Sequence, residues 1–169
     1  GEFRNKNYGT LSVTDIIVKS SNRGTGRMVL QIGAKRQQEF LKSMGFFEPT
    51  DFEIVEASGG KPLLPKRWTD LSAVTISYGH GLSSSPMHLA AGYAAIANGG
   101  YAVTPTVLKQ NGAKYGPRVM STNAASAART MLRKVVSEGT ASFGEVEGYA
   151  VGGKTGTADK PRRQGGYYE

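Results

Sequence analysis

The sequence predicts one mainly helical domain that contains few strands. Its 169 residues fit a single domain, since most domains hold about 100–200 residues. Apolar residues make up 38% of the chain and charged residues 20%, which is a globular composition able to enclose one hydrophobic core. Segments with helix caps and helical apolar spacing recur along the chain, whereas strand-like stretches are short.

The predicted helices share a capping residue, an apolar face with three- or four-residue spacing, and a glycine or small polar residue at the end. They cover residues 12–18, 25–44 with a break at Gly33, 86–97 and 123–138. Ser12 and Asp15 fit a capping box, and Pro86 after Ser85 fits the first turn of a helix. The faces predicted to point inward hold Leu89, Tyr93, Ile96 and Ala97 in one helix and Met131, Leu132, Val135 and Val136 in another.

Between the helices, residues 46–72 have the glycines and prolines of a long connection. Two stretches resemble strands, residues 101–108 and 149–158. Pro105 restricts the first of them to an edge or a bent strand, because proline cannot donate to a sheet ladder.

The composition excludes several kinds of site. The chain has no cysteine, which excludes disulfides, thiol nucleophiles and thiolate metal ligands. Its two histidines, His80 and His88, lack the HExxH spacing, so neither a zinc site nor a Ser-His-Asp triad is expected. We expect His80 in a loop and His88 at a surface or half-buried position.

The net charge of +8 suits an anionic partner. No nucleic-acid-binding signature accompanies it, so we expect no nucleic acid partner. The apolar runs are too short for a transmembrane helix, and the opening residues are too polar for a signal peptide.

Residues 148–155 match the phosphate-loop pattern GxxxxGK[ST]. That chemistry needs a buried strand before the motif and a helix that begins at the Lys-Thr pair. Charged residues precede the motif, and Pro161 with several glycines follows it, so neither element is expected. A nucleotide-binding module is kept as one alternative.

The same residues fit another chemistry when they are aligned from Lys154 onward. The ammonium of Lys154 and the hydroxyls of Thr155 and Thr157 can hold a carboxylate. Gly156 would let a substrate backbone approach closely. A strand of small residues packed on a helix would show the same pattern, so this motif alone does not decide the function.

A second polar group lies far upstream, at the predicted end of the first helix. The Ser20 hydroxyl and the Asn22 amide, two residues apart on a turn, can point into one cleft, although such turns are common. A proton relay and carboxylate capture must act on one small substrate, so we expect Ser20, Asn22 and Lys154 to converge.

The order of these groups resembles the penicillin-recognising serine acyltransferases, whose motifs are S-x-x-K, S-x-N and K-T-G. The chain is similar to the division-specific, class B penicillin-binding proteins over about residues 8–160. The similar segments are residues 11–22, 78–100 and 139–158. The resemblance implies that residues 1–169 are the central part of one transpeptidase domain. It implies a mixed α/β fold, with an antiparallel sheet between helical layers, incomplete at both ends.

The resemblance also implies the activity of a peptidoglycan D,D-transpeptidase, which cross-links stem peptides during septal cell-wall synthesis and is acylated by penicillins. The implied catalytic residues are Ser20, Asn22 and Lys154, and the implied substrate-binding residues are Thr155, Gly156 and Thr157. No metal or organic cofactor is implied. The implied partners are stem peptides, β-lactams and division-machinery proteins. The implied location is the periplasmic face of the inner membrane, reached through a segment outside this chain.

The nucleophile of the family pattern is not expected within the chain. Its one S-x-x-K string runs from Ser58 to Lys61, where two glycines and Pro62 oppose the helical turn that a Ser-Lys pair needs. By the family's spacing we expect the nucleophile a few tens of residues before Gly1, and we expect the 169-residue chain alone to be inactive.

Two further alternatives keep the same fold. Transfer to water would make the protein a D,D-carboxypeptidase or a β-lactamase-like hydrolase, and the motifs do not separate these from a transpeptidase. A non-catalytic binding module is an alternative of another class.

Overall fold

The structure, a computed structural model of the chain, describes residues 7–57 and 60–157. The helices of this part are α1 (Val13–Val18), α2 (Asn22–Ile32), α3 (Ala34–Ser43), α4 (Asp70–Ser77), α5 (Pro86–Ala97) and α6 (Thr122–Ser137), with single 3₁₀ turns at Val55–Ala57 and Ser142–Gly144. Isolated antiparallel bridges join Leu63 to Ser83 and Tyr101 to Arg118. None of the described helices has the length and apolar character needed to cross a membrane.

Local sequence signals set the ends of the first helices. Ser12 and Asp15 form the predicted capping box of α1. Gly33 separates α2 from α3 with a φ of 90°, a left-handed conformation that suits glycine and interrupts a helix. The break predicted at Gly33 is therefore confirmed, while α2 begins earlier than predicted, at Asn22, because the side chain of Ser21 caps it.

The connection predicted over residues 46–72 is shorter in the structure, because α4 begins inside it. The Thr69 hydroxyl accepts from the Ser72 amide at 3.2 Å, and the Ser72 hydroxyl accepts from the Thr69 amide at 2.6 Å. This is a capping box with serine in the place of the usual Glu or Gln. Helix α4 packs closely on α2, since a Cβ on Gly26 would lie only 3.2 Å from Val74.

The strands predicted at residues 101–108 and 149–158 are wrong for the described residues. A strand needs a run of backbone partners on a neighbouring strand, whereas the pairing within residues 101–108 is confined to Tyr101 and Ala102, which pair with residues 116–118. The Val107 amide donates to the Glu53 carboxylate at 3.1 Å, and the Gly153 amide donates to a carbonyl of α6 at 3.1 Å. The sheet that the resemblance implies is therefore not among the described residues, which form a helical part of the fold.

Helix α5 buries a different face from the one that its spacing predicts. Its buried residues are His88, Gly92 and Ala95, whereas Leu89 is 52% exposed. A Cβ on Gly92 would lie 3.5 Å from the Phe46 ring. The small residues of α5 thus leave room for an aromatic ring from the loop after α3.

The expectation that His88 lies at a surface or half-buried position is wrong, since it is 2% exposed. Its Nδ1 lies 2.7 Å from the Ser85 hydroxyl, and its Nε2 lies 2.8 Å from the Glu48 carbonyl oxygen. Both ring nitrogens therefore have hydrogen-bond partners, which compensate for the loss of water when the side chain is buried.

A small hydrophobic core lies beside the two predicted motifs. Val135 and Val136 of α6 are 0% and 2% exposed, as their predicted inward positions require, and Ala141 joins them. Ile17 of α1 and Val151 pack against this cluster. The core therefore holds together α1, α6 and the segment that carries the K-T-G motif.

Candidate active site

Ser20 lies in the tight turn that joins α1 to α2. Its amide donates to the Ile17 carbonyl at 3.2 Å, and the Ser21 amide donates to the Ile16 carbonyl at 2.9 Å. These are the two bonds of a Schellman motif, which places a left-handed residue, usually glycine, just past the helix end. Ser20 takes that position with a φ of 55°.

This conformation makes Ser20 unusual, because it is the one non-glycine residue of the described part with a positive φ. The left-handed conformation costs a residue with a Cβ roughly 1–2 kcal/mol. Backbone strain of this kind clusters at functional sites. The turn therefore marks Ser20 independently of the sequence motif.

Lys154 reaches Ser20 from the far end of the described chain. Its Nζ donates to the Ser20 hydroxyl at 2.7 Å, across a sequence separation of 134 residues. It also donates to the Thr155 carbonyl at 3.2 Å and contacts the Thr155 hydroxyl at 3.4 Å. The predicted convergence of Ser20 and Lys154 is confirmed.

The electrostatics of Lys154 follow from its surroundings. Burial lowers the pKa of its ammonium below the usual value of 10.5, because the charged form loses hydration. Its partners among the described residues are neutral oxygens. The positive charge is thus not matched by a carboxylate in this part of the chain, which suits an ammonium that binds an anionic group.

Gly139, just past the end of α6, allows the end of α6 to approach the end of α1. A Cβ on Gly139 would lie 2.6 Å from the Val18 carbonyl oxygen and 2.8 Å from the Val135 carbonyl oxygen. These atoms belong to backbone, which cannot move aside as a flexible side chain can. Only glycine therefore fits at the point where the end of α6 meets the end of α1.

Helix α6 also holds the segment that leads to Lys154. Arg133 donates two hydrogen bonds to the Glu145 carboxylate, at 2.7 and 2.9 Å, and a third to the Val151 carbonyl at 3.0 Å. The Glu145 carboxylate raises the pKa of Arg133. A Cβ on Gly152 would lie 3.3 Å from the Arg133 amide nitrogen, so this segment runs directly along the helix.

Thr155 connects Lys154 to a residue that is not among the predicted site residues. The Thr155 hydroxyl lies 2.9 Å from the hydroxyl of Thr140, the second residue after the end cap of α6. The sequence carries a signal for Thr140, since it lies in the Gly-Thr-Ala string within the family resemblance. Nothing in the sequence indicates which side chain this hydroxyl would meet.

The other predicted site residues differ in their exposure. Asn22 is the first residue of α2 and is half-buried. Gly156 and Thr157 are exposed, and no described atom lies within 4 Å of where a Cβ on Gly156 would stand. Their roles, like those of Ser20 and Lys154, stay predictions. Ser58 lies outside the described residues.

The geometry does not fit the other kinds of site considered. No helix begins between Lys154 and Thr157, so the described part lacks the helix N-terminus that a phosphate loop needs. Among residues 7–57 and 60–157, no three His, Asp or Glu side chains are grouped so that they could hold a metal ion. Two surface grooves, one between α1 and α6 and one beside α5, contain neither Ser20 nor Lys154.

The comparison with known proteins agrees with the motifs and the fold. The chain belongs to the penicillin-binding protein transpeptidase domain family, whose model matches residues 1–169. The probable peptidoglycan D,D-transpeptidase FtsI of Caulobacter vibrioides is 32% identical over 155 residues, which are 89% of this chain and 26% of that protein. Penicillin-binding protein PbpB of Mycolicibacterium smegmatis is 33% identical over 175 residues, and the match covers 91% of this chain and 27% of that protein.

Solved structures show the same fold. The TP domain of penicillin-binding protein 3 from Burkholderia pseudomallei is 38% identical, with a TM-score of 0.88, over 98% of this chain and 50% of that chain. Penicillin-binding protein 3 of Mycobacterium tuberculosis, solved with ampicillin, is 29% identical, with a TM-score of 0.83, over 98% of this chain and 41% of that chain. The chain thus spans about a quarter of the curated relatives and about half or less of these structures.

Proposed function

We propose that the protein carrying this chain is a peptidoglycan D,D-transpeptidase that cross-links stem peptides by serine acyl transfer. The observation that carries the proposal is the 2.7 Å bond between Lys154 Nζ and Ser20 Oγ. It joins the S-x-N and K-T-G motifs of a chain that belongs to the transpeptidase family. The relatives named as D,D-transpeptidases support the same reaction.

The reaction has two halves. The oxygen of the S-x-x-K serine attacks the carbonyl carbon of the penultimate D-Ala. Its proton passes to a base and reaches the leaving nitrogen through the Ser20 hydroxyl, so the C–N bond breaks and the terminal D-Ala leaves as an amine. An acceptor amine then attacks the carbonyl carbon of the resulting ester. A peptide bond forms as the ester C–O bond breaks, and the proton that the amine loses returns to the serine oxygen.

The hydrogen-bond direction at Ser20 suits a proton relay. An ammonium can only donate, so the Ser20 oxygen accepts from Lys154 and keeps its own proton available for another group. In the proposed reaction that group is the leaving nitrogen. The depressed pKa of Lys154 also makes proton exchange with this hydroxyl less costly than it would be for a fully solvated lysine.

Substrate binding follows from the neighbouring groups. Lys154 and the Thr155 hydroxyl would hold the terminal carboxylate of the stem peptide or the carboxylate of a β-lactam. Asn22 would hydrogen-bond the substrate backbone and the lysine of S-x-x-K. The Thr157 amide would form part of the oxyanion hole, where one donor is usually worth about 3 kcal/mol. Division-machinery partners and a place on the periplasmic face of the inner membrane belong to the same proposal and rest on the family resemblance.

Covalent labelling of the full-length protein tests the proposal. A fluorescent penicillin should leave a label that survives denaturation. Lys154→Ala should slow labelling by roughly 10- to 100-fold, the loss expected for a charged hydrogen bond. Lys35→Ala is the matched control, because that side chain is 87% exposed, and it should label at the wild-type rate. Absence of label on the wild-type protein, or an unaltered rate for Lys154→Ala, would contradict the proposed function.

A further inference from the structure

Four polar side chains form a continuous row at the site. The Thr140 hydroxyl lies 2.9 Å from the Thr155 hydroxyl, which lies 3.4 Å from Lys154 Nζ. The ammonium in turn donates to Ser20 at 2.7 Å. Three of these residues have a role in the proposed reaction, whereas Thr140 has none.

We propose that Thr140 is a positioning residue, whose hydroxyl orients the Thr155 hydroxyl toward the carboxylate of the substrate. A hydroxyl has one proton to donate and two lone pairs that accept. The ammonium of Lys154 can only donate, so it occupies one lone pair of Thr155. If Thr140 donates to the other lone pair, the single proton of Thr155 is left for a carboxylate.

The opposite direction would weaken carboxylate binding. If Thr155 donated its proton to Thr140, it would present only an oxygen to the substrate, and a carboxylate offers only acceptors. A donating Thr140 also polarises the Thr155 hydroxyl, and linked hydrogen bonds of this kind strengthen one another. The inference rests on the proposed function, because it needs a ligand with a carboxylate.

The backbone on both sides of Thr140 is fixed, so its hydroxyl has a defined place. Gly139 fits against the Val18 carbonyl at a point where a Cβ would lie 2.6 Å away. The amide of Ala141 donates to the Val135 carbonyl at 3.0 Å, and Ala141 is 8% exposed. A functional group held between two anchored residues keeps its geometry, as a preorganised site requires.

Thr140 itself is exposed, so replacing its hydroxyl should leave the fold intact. The test uses the full-length protein with Thr140→Val, which removes the hydroxyl at nearly constant volume, and Thr140→Ser, which keeps it. The probes are a fluorescent penicillin and the methyl ester of the same penicillin. We expect the melting temperatures of both variants to match that of the wild type.

With the carboxylate probe, Thr140→Val should lower the second-order acylation rate constant on the order of 10-fold, the size of one hydrogen bond to a charged group. The loss should fall on the saturation constant for the probe, because the carboxylate is bound before the reaction. Thr140→Ser should stay within about 3-fold of the wild type, since it keeps the donor. With the methyl ester, Thr140→Val and the wild type should react equally.

Each contrary outcome has a distinct meaning. The role of Thr140 would be overturned if Thr140→Val reacted at the wild-type rate, if Thr140→Ser reacted as slowly as Thr140→Val, or if Thr140→Val lost as much rate with the methyl ester. In each of these cases, labelling of the wild type would still uphold the proposed function. A wild-type protein that neither probe labels would overturn both.

Discussion

The ammonium of Lys154 donates a 2.7 Å hydrogen bond to the hydroxyl of Ser20, although 134 positions separate them in the sequence. The bond joins a turn after α1 to a segment that lies along α6. The two residues meet because the core of Ile17, Val135, Val136, Ala141 and Val151 holds these elements together. Changes to the turn, to the contact between the helix ends, or to the segment should therefore alter the site in different ways.

The strain at Ser20 can be separated from the function of its hydroxyl. Ser20→Gly and Ser20→Ala both remove the hydroxyl that Lys154 binds, so both should lose labelling by penicillin. Glycine relieves the φ of 55°, whereas alanine retains it, so the glycine variant should be more stable by about 1 kcal/mol. Chemical denaturation of the two variants measures this difference, and an alanine variant as stable as the glycine variant would rule out strain at this turn.

The close contact at Gly139 should be essential to the site. Gly139→Ala places a Cβ 2.6 Å from the Val18 carbonyl oxygen, so we expect a loss of about 1–3 kcal/mol, the usual cost of overpacking, and slower labelling. Gly144→Ala is the control, because no described atom lies within 4 Å of its added Cβ. Thermal unfolding of both variants tests the contact, and equal losses would show that the approach of α6 to α1 is not the cause.

The bonds of Arg133 should stabilise the segment before Lys154. Arg133→Met removes two bonds to Glu145 and one to Val151, and we expect it to lower the melting temperature more than Lys134→Met does and to slow labelling. Lys134→Met should cost less than about 0.5 kcal/mol, because an exposed i,i+4 pair is weak, and Lys134 lies 3.8 Å from Glu138. Measured losses that are equal for these neighbouring residues would contradict a special role for Arg133.

The lowered pKa of Lys154 predicts a pH dependence of stability. Between the folded pKa and the unfolded value of 10.5, the unfolded state binds more protons, so the contribution of Lys154 to stability rises with pH. The penalty for burying its charge is complete below the folded pKa and is relieved as the pH rises toward 10.5. The melting temperature of Lys154→Met, relative to that of the wild type, should therefore fall as the pH rises through this window. A difference that does not vary with pH would contradict the effect of burial.

Residue patterns correctly predicted those features of the structure whose cause is local. The capping box of Ser12 and the break at Gly33 depend on neighbouring residues only, and both predictions hold. Motif order also identified Ser20 and Lys154 as partners, since the family pattern records a spatial relationship that spacing alone does not contain. Asn22 has the right position in the chain, but its role stays a prediction.

The features that the sequence missed depend on distant partners. The buried face of α5 is set by Phe46 against Gly92, and apolar spacing within the helix does not reveal that ring. Residues 149–157 have strand-like composition, yet the Gly153 amide bonds to α6. The contact between Thr140 and Thr155 spans 15 positions and requires residues 151–153 to lie along α6, so it emerges only from the folded chain.

Product analysis of the full-length protein is the most direct test of the central claim. The protein is incubated with a stem pentapeptide ending in D-Ala-D-Ala and with an amine acceptor, and the products are measured by mass spectrometry. We expect release of D-Ala together with cross-linked product. Both should form roughly 10- to 100-fold more slowly with Lys154→Ala, and at the wild-type rate with Lys35→Ala. Release of D-Ala with only the hydrolysed tetrapeptide would identify a carboxypeptidase, and no release at all would contradict the account.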